Sequence, residues 1–105
     1  MQRDKQISNS LKQQNRDRVY KSNIWQSLRK KKLMDQPLCE VHQMAGKLEL
    51  ATDVHHKVSF VDKTGNEMLR VAYDYGNLCS ICKSCHGKIH AGMTMQEVVD
   101  ELKNQ

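Results

Sequence analysis

The stretch from Cys79 to His90 reads CSICKSCHGKIH and holds three of the four cysteines and two of the five histidines of the chain. Cys82 and Cys85 have the Cys-x-x-Cys spacing with which two thiolates bind one metal ion. His86 and His90 lie one helical turn apart, so on a helix their imidazoles share a face and can bind a second ion. The stretch therefore predicts two metal sites on one short element, each completed by residues elsewhere in the chain.

A second half-site with zinc-ligand spacing occurs upstream, where Cys39 and His42 form a Cys-x-x-His pair. Together with Cys82 and Cys85 it predicts a tetrahedral zinc site of three thiolates and one imidazole. Cys79 is an alternative fourth ligand in place of His42, because it precedes Cys82 at the same spacing. We favour the interpretation that Cys79 is a small buried residue.

The composition indicates one small domain that needs zinc for stability. The chain has 105 residues, of which 38% are hydrophobic, so the core that they can form is thin. Seventeen Lys and Arg against 12 Asp and Glu give a net charge of +5. This charge suits nucleic acid as a partner, although a merely soluble basic protein carries the same charge.

Neither a signal peptide nor a transmembrane helix is evident in the sequence. The first residues, MQRDKQ, are polar, and no apolar stretch of sufficient length follows them. We therefore expect a cytoplasmic protein without a membrane partner. In that compartment thiols stay reduced, which favours metal ligation over disulfides.

The first third of the chain predicts a polar arm followed by a helix. Residues 1–16 are polar and predict a flexible basic arm or a loosely attached helix. Residues 17–34 carry apolar side chains at helical spacing and predict a helix. The run Arg29–Lys32 near its end is either a solvated helix end or a surface that contacts phosphate.

The remaining elements are predicted from alternation and capping. Residues 50–60 alternate in polarity and predict a strand. Residues 67–75 are compatible with a helix or a strand. A short helix is expected over 85–91, and a final helix over 94–103 begins at a capping box of Thr94 and Glu97.

His55 and His56 are consecutive on the predicted strand, so their side chains point to opposite faces. One of them can join His86 and His90 around a metal ion. The other, without a metal, can act as a general base because imidazole titrates near neutral pH. The pair therefore predicts a division of roles between a ligand and a base.

These motifs resemble those of the His-Asn-His (HNH) endonuclease family. The residues that carry this resemblance are His55-His56, Asn77-Leu78, Cys82-x-x-Cys85-His86 and His90, with Tyr20-x-Ser22-x-x-Trp25-x-x-Leu28-Arg29 similar to a segment of small phage HNH proteins. The resemblance implies an α+β fold, in which a ββα-metal core over 39–92 is stabilised by zinc and flanked by N- and C-terminal helices. It implies one nuclease domain over 17–105.

The resemblance also implies a role for each site residue. His55, His86 and His90 would bind a catalytic ion, His56 would be the general base, and the Asn77 amide would orient the His56 ring. The catalytic ion would be Mg²⁺, Mn²⁺, Ni²⁺, Co²⁺ or Zn²⁺, in addition to the structural zinc.

The implied activity is metal-dependent hydrolysis of DNA, with the chain acting as a monomer. Phage relatives imply a place in genome packaging beside terminase subunits, in the host cytoplasm. We expect DNA phosphates to be contacted by six cations: Arg29, Lys30, Lys31, Lys57, Lys83 and Lys88. The alternative is a non-catalytic zinc module that only binds nucleic acid.

Overall fold

Six α-helices, one 3₁₀ turn and two short strands make up the regular structure of residues 7–105, which are the residues that the computed structural model describes. In chain order the elements are α1 (Asn9–Tyr20), α2 (Asn23–Asp35), α3 (Glu40–Met44), β1 (Asp53–His56), α4 (Gly65–Ala72), a 3₁₀ turn (Tyr75–Asn77), β2 (Leu78–Ile81), α5 (Lys83–His90) and α6 (Met95–Lys103). The predicted α+β class is confirmed, with β1, β2 and α5 as the ββα core. None of the helices in this part of the chain has the length and apolarity needed to span a membrane.

The two strands pair in one sheet. The Thr52 amide donates to the Ile81 carbonyl at 3.1 Å, and the Lys57 amide donates to the Asn77 carbonyl at 2.8 Å. Because the residue numbers run in opposite directions along the two strands, the pairing is antiparallel. The sheet therefore brings the two predicted motif segments side by side.

β1 is shorter than the strand predicted over 50–60, since it ends at His56. Beyond that point the Asn77 side chain bonds both backbone groups of Val58: its oxygen accepts from the Val58 amide at 2.8 Å, and its nitrogen donates to the Val58 carbonyl at 2.9 Å. A side chain thus takes the place of a neighbouring strand there. At the other end, Leu50 forms an isolated bridge with Leu38 instead of extending β1.

The helix predicted over 17–34 is in fact two helices, α1 and α2, which are interrupted at Ser22. The Ser22 hydroxyl donates to the Val19 carbonyl at 2.6 Å and accepts from the Trp25 amide at 3.1 Å. One side chain therefore satisfies backbone groups at the end of α1 and the start of α2.

The boundary expected between an arm and a domain at residue 16 lies inside α1. Ser8 caps the start of this helix by accepting from the Leu11 amide at 3.1 Å. The Asn15 side chain is buried and donates to the carbonyls of Val61 and Lys63 at 2.9 and 3.0 Å. Residues 9–16 are thus helical and held by long-range hydrogen bonds, whereas residues 1–6 of the expected arm lie outside the described residues.

The chain divides into two compact units. The first comprises the chain up to Arg29 together with His56–Leu78. Its buried side chains include Val19, Trp25, Phe60, Met68 and Ala72. The segment 67–75, for which helix and strand were both open, contributes α4, and the burial of Met68 and Ala72 at i and i+4 explains why it is helical.

The second unit comprises Lys30–His55 and Cys79–Gln105. Its core consists of the residues Cys39, Val41, Ile81, Cys82, Cys85, Val98, Val99 and Leu102. The last three of these come from α6, which contacts α3 and α5. The predicted capping box is present, since Thr94 and Glu97 bond each other's backbone amides at 3.1 and 2.8 Å. Three of the core residues are cysteines, so the metal half-sites are part of this core.

Candidate metal centres and catalytic site

The two zinc half-sites meet in the second unit. Cys39 precedes α3 and His42 lies within it, while Cys82 is the N-cap of α5 and Cys85 follows one turn later. The His42 Nδ1 atom lies 3.3, 3.7 and 3.4 Å from the sulfurs of Cys39, Cys82 and Cys85. A tetrahedral zinc ion with ordinary bond lengths separates its nitrogen and sulfur ligands by about 3.5 Å. The four side chains therefore fit a zinc ion, and their ligand atoms lie within 4.8 Å of one another.

The sulfurs of this cluster are buried in the core of the second unit. The three sulfurs belong to side chains that are at most 6% exposed. Burial, with the neighbouring sulfurs of Cys82 and Cys39, raises the pKa of the Cys85 thiol. A divalent ion would reverse this effect, because it stabilises the thiolate form that binds it.

Cys79 is not a member of this cluster. It lies on β2, where it is 2% exposed. Within residues 7–105, the Cys39, His42, Cys82 and Cys85 set is the one group of three or more potential ligands gathered closely enough to hold a metal ion. His42 rather than Cys79 thus occupies the fourth position, as the Cys-x-x-His spacing suggested.

The histidines assigned to the second ion form neighbouring pairs in the same unit. Along α5, the Nε2 atoms of His86 and His90 are 3.0 Å apart. Two nitrogens that bind one ion at about 2.1 Å and at right angles are separated by about 3.0 Å. The His55 ring lies edge-on to His86, with ring centroids 5.4 Å apart. His86 and His90 can therefore share a divalent ion, whereas His55 lies beside them without completing a close group of three ligands among residues 7–105.

Asp53 is a site residue that the motif analysis missed. Its Oδ2 atom lies 3.0 Å from Nδ1 of His86. Because an ionised carboxylate only accepts, His86 donates from Nδ1 and its Nε2 lone pair is left for a metal. Partial burial opposes ionisation of Asp53, but hydrogen bonds from His86, Thr52 and Lys83 outweigh it and lower the pKa of the carboxyl.

Strand alternation could have identified Asp53. Along β1, Asp53 and His55 are half-buried, whereas Val54 and His56 are buried. Residues two apart on a strand share a face, so Asp53 points to the same side of β1 as His55, the predicted ligand. The side chain of His56 points to the opposite face of the strand.

The His56 imidazole is only 8% exposed and lies in the first unit. Its Nε2 atom is 2.9 Å from the Ala72 carbonyl oxygen, which can only accept a hydrogen bond. The neutral ring therefore carries its proton on Nε2 and has an unprotonated Nδ1 that can accept a proton. Burial lowers the pKa of this imidazole, with the Ala72 hydrogen bond acting in the opposite direction. This is the state that a general base requires.

Asn77 does not contact the His56 ring in the way that the motif implied. Its amide bonds the backbone of Val58 on both sides and also donates to the Val71 carbonyl at 3.2 Å. The ring is oriented instead by Ala72. Asn77 acts on the backbone just after His56, and its long-range partners are not visible in local sequence.

The six cations expected to contact DNA differ in their surroundings. Three form ion pairs: Lys31 with Asp35 at 2.7 Å, Lys83 with Asp53 at 3.4 Å, and Lys88 with Glu101. Lys30 and Lys57 are exposed, and Arg29 is half-buried. Lys30 and Lys57 are thus the exposed cations of this set that form no ion pair within residues 7–105.

A comparison with solved structures identifies a similar protein, the HNH endonuclease of the deep-sea thermophilic bacteriophage GVE2, in a crystal structure with a manganese ion. The match has a TM-score of 0.65 and 26% sequence identity, and it covers 76% of this chain and 83% of the other. A scan of protein-family models and a search of curated proteins gave no match. The resemblance that the motifs indicated is therefore confirmed by the fold.

Proposed function

We propose that this protein is a metal-dependent endonuclease that hydrolyses phosphodiester bonds in DNA. The observation that carries the proposal is the fold shared with an HNH endonuclease solved with manganese, which covers most of both chains. The geometry of the histidines supports it. One buried imidazole has a free Nδ1 atom, and two others face each other at a separation that suits one ion.

His56 is the general base in this proposal. Its Nε2–H donates to the Ala72 carbonyl, so Nδ1 accepts the proton of the attacking water. Asn77 has a positioning role, because it holds the backbone of Val58 two residues after the base. These hydrogen bonds to the main chain would therefore help to hold the base and the backbone beside it.

His55, His86 and His90 would hold one divalent ion, and Asp53 would fix the tautomer of His86. When bound, such an ion supplies positive charge to the phosphate and to the departing 3′ oxygen. Imidazole ligands suit Ni²⁺, Co²⁺ and Zn²⁺, so we expect activity with these ions as well as with Mg²⁺ or Mn²⁺. Zinc at Cys39, His42, Cys82 and Cys85 would have the separate role of stabilising α3 and α5.

We further propose that the chain acts as a monomer in the cytoplasm of a phage-infected host, in genome packaging with terminase subunits. The phage origin of the similar endonuclease supports this. A monomer has one site and should nick one strand at a time. Stimulation of nicking by purified terminase, together with a monomeric mass in solution, is the expected result.

The test is cleavage of supercoiled plasmid with each of the five metals, with EDTA and His56→Ala as controls. We expect relaxed product from the wild type, none with EDTA, and a loss of about 10²- to 10⁴-fold in His56→Ala. The variant must retain its zinc content and helicity, so that loss of folding is excluded. DNA binding without cleavage under any metal would contradict the proposal and indicate the non-catalytic zinc module.

A further inference from the structure

Aromatic rings from α2 and from the segment after β1 contact the His56 imidazole. The Trp25 indole is stacked on it, with ring centroids 4.8 Å apart and planes inclined by 24°. Phe60 meets the same imidazole edge-on at 4.7 Å. Trp25 and Phe60 are themselves 4% and 2% exposed, so their rings are held by the core of the first unit. The imidazole thus has an aromatic ring on one face and another along its edge.

Ser22 connects this aromatic contact with the hydrogen-bond acceptor of His56. Its hydroxyl accepts from the Trp25 amide at 3.1 Å, which fixes the start of α2. The same oxygen accepts from the Tyr73 hydroxyl at 2.8 Å. Tyr73 directly follows Ala72, whose carbonyl accepts from His56. The Ser22 hydroxyl therefore links the backbone of Trp25 to Tyr73, the residue that follows Ala72.

We propose that Trp25, with Ser22 and Tyr73, is the device that positions the His56 imidazole, holding it with Nδ1 free to accept a proton. The inference rests on the proposed nuclease function, and it assigns a purpose to the Tyr-x-Ser-x-x-Trp segment. These three are positioning residues: they act on DNA only through His56. They should therefore affect the chemical step and leave DNA binding unchanged.

The physical need for such a device follows from the torsional freedom of histidine. The terminal torsion of an imidazole is broad and roughly two-fold, so one hydrogen bond does not by itself prevent the ring from turning over. Turning over exchanges Nδ1 with Cδ2 and Nε2 with Cε1, so a carbon atom would stand where the base nitrogen should be. A stacked indole worth about 0.5–1.5 kcal/mol beyond its buried area restricts this motion. Misplacing a catalytic group by about 1 Å can cost about 10²-fold in rate.

The kinetic test compares Trp25→Leu with Trp25→Phe, which keeps an aromatic face. At saturating metal, we expect Trp25→Leu to lower kcat by about 10²-fold with KM changed less than about twofold. Trp25→Phe should recover all but about threefold of kcat. Met68→Ala, in the same core but without a hydrogen bond or ring contact to His56, controls for destabilisation. The inference would be overturned if Trp25→Leu lowered kcat no more than Met68→Ala does. It would also be overturned if Trp25→Leu raised KM and left kcat unchanged.

Two smaller changes test the connection through Ser22. Tyr73→Phe removes only the hydroxyl that donates to Ser22, and Ser22→Ala removes the acceptor as well as the cap of α2. We expect each to lower kcat about fivefold. Ser8→Ala, which removes the comparable cap of α1, is the matched control and should not change kcat. Equal effects of Ser8→Ala and Ser22→Ala would show that loss of a helix cap is the whole cause.

Imidazole ¹⁵N NMR spectra separate failure of this inference from failure of the proposed function. In the wild type, His56 should show the Nε2–H tautomer, with ring protons shifted upfield by the indole. Trp25→Leu should give mixed tautomers, and Trp25→Phe should not. If the wild type cleaves no DNA but the tautomers mix as expected, the nuclease proposal fails and the positioning role stands. If Trp25→Leu retains a single Nε2–H tautomer, the positioning role fails whatever the activity.

Discussion

The Asp53 carboxylate accepts a hydrogen bond from Nδ1 of His86 at 3.0 Å, while Nε2 of the same ring lies 3.0 Å from Nε2 of His90. A carboxylate behind an imidazole is the usual arrangement at protein metal sites, since it fixes the tautomer and raises the basicity of the ligand. We therefore predict that Asp53→Ala weakens binding of Mn²⁺ by about 10- to 100-fold.

Calorimetric titration of the zinc-loaded protein with Mn²⁺ measures this change. Asp62→Asn is the matched control, because it removes a carboxylate charge from an exposed position at which the residue pairs with Lys63. Asp62→Asn should bind Mn²⁺ as the wild type does. If Asp53→Ala and Asp62→Asn bound Mn²⁺ with the same affinity, Asp53 would act only through its charge. The argument that Asp53 fixes the tautomer and orientation of His86 would then fail.

The zinc cluster should determine whether the second unit folds. Cys39, Cys82 and Cys85 are part of its hydrophobic core, so removing the ion leaves buried thiols with no cation between them. We predict that Cys82→Ala loses its zinc and most of the helical signal of α3, α5 and α6. Cys79→Ala, at a buried cysteine outside the cluster, should retain about one zinc per chain. Metal analysis and circular dichroism of both variants decide the point, and a Cys82→Ala protein with full zinc content would refute the assignment.

The proximity of the predicted ligands within α5 could be anticipated from sequence because its geometry is local. Cys82 caps α5 and Cys85 lies one turn later, so the spacing itself brings the two sulfurs together. His86 and His90 share a helical face for the same reason. These positions depend on the 3.6-residue period of a helix and need no knowledge of the rest of the fold.

The roles of Asn77 and Ala72 could not be predicted in this way. Asn77 bonds Val58, a residue far away in sequence, and the Ala72 carbonyl accepts from His56 because of where α4 ends. Both contacts depend on tertiary packing. The break between α1 and α2 at Ser22 could not be predicted for a different reason. Apolar residues continue at helical spacing on both sides of Ser22, so the periodicity does not indicate that this serine bonds the backbone of both helices.

A carboxylate that joins two other elements should contribute to the stability of the second unit. Glu40 accepts from the backbone amide of Ser80 on β2 at 2.6 Å and pairs with Lys32 at 3.2 Å, where only 11% of the lysine side chain is exposed. Glu40→Ala leaves the buried amide and the lysine without this acceptor. We predict a loss of about 2–3 kcal/mol in the free energy of unfolding.

Denaturant unfolding of zinc-loaded protein measures that loss. Lys31→Ala is the control, because Lys31 and Asp35 form an exposed pair on α2 and removing it should cost less than about 0.5 kcal/mol. The free energy of unfolding of Glu40→Gln should lie between those of Glu40→Ala and Lys31→Ala, since the glutamine amide oxygen still accepts from Ser80 but carries no charge. Equal stabilities for Glu40→Ala and Lys31→Ala would mean that burial does not strengthen the Glu40 contacts.

The salt dependence of DNA binding should distinguish the accessible cation Lys57 from Lys83, which is paired with Asp53. Lys57 is exposed and has no carboxylate partner among residues 7–105. In a His56→Ala background that cannot cleave, Lys57→Ala should reduce the slope of log K against log salt by about 0.9, because one phosphate contact is lost. Lys83→Ala should reduce it less, since Asp53 already neutralises that lysine. Fluorescence anisotropy with a labelled duplex at several salt concentrations measures both slopes.

If both lysines changed the slope equally, pairing with Asp53 would not limit the access of Lys83 to phosphate. If neither lysine changed the slope, neither would contact DNA phosphate.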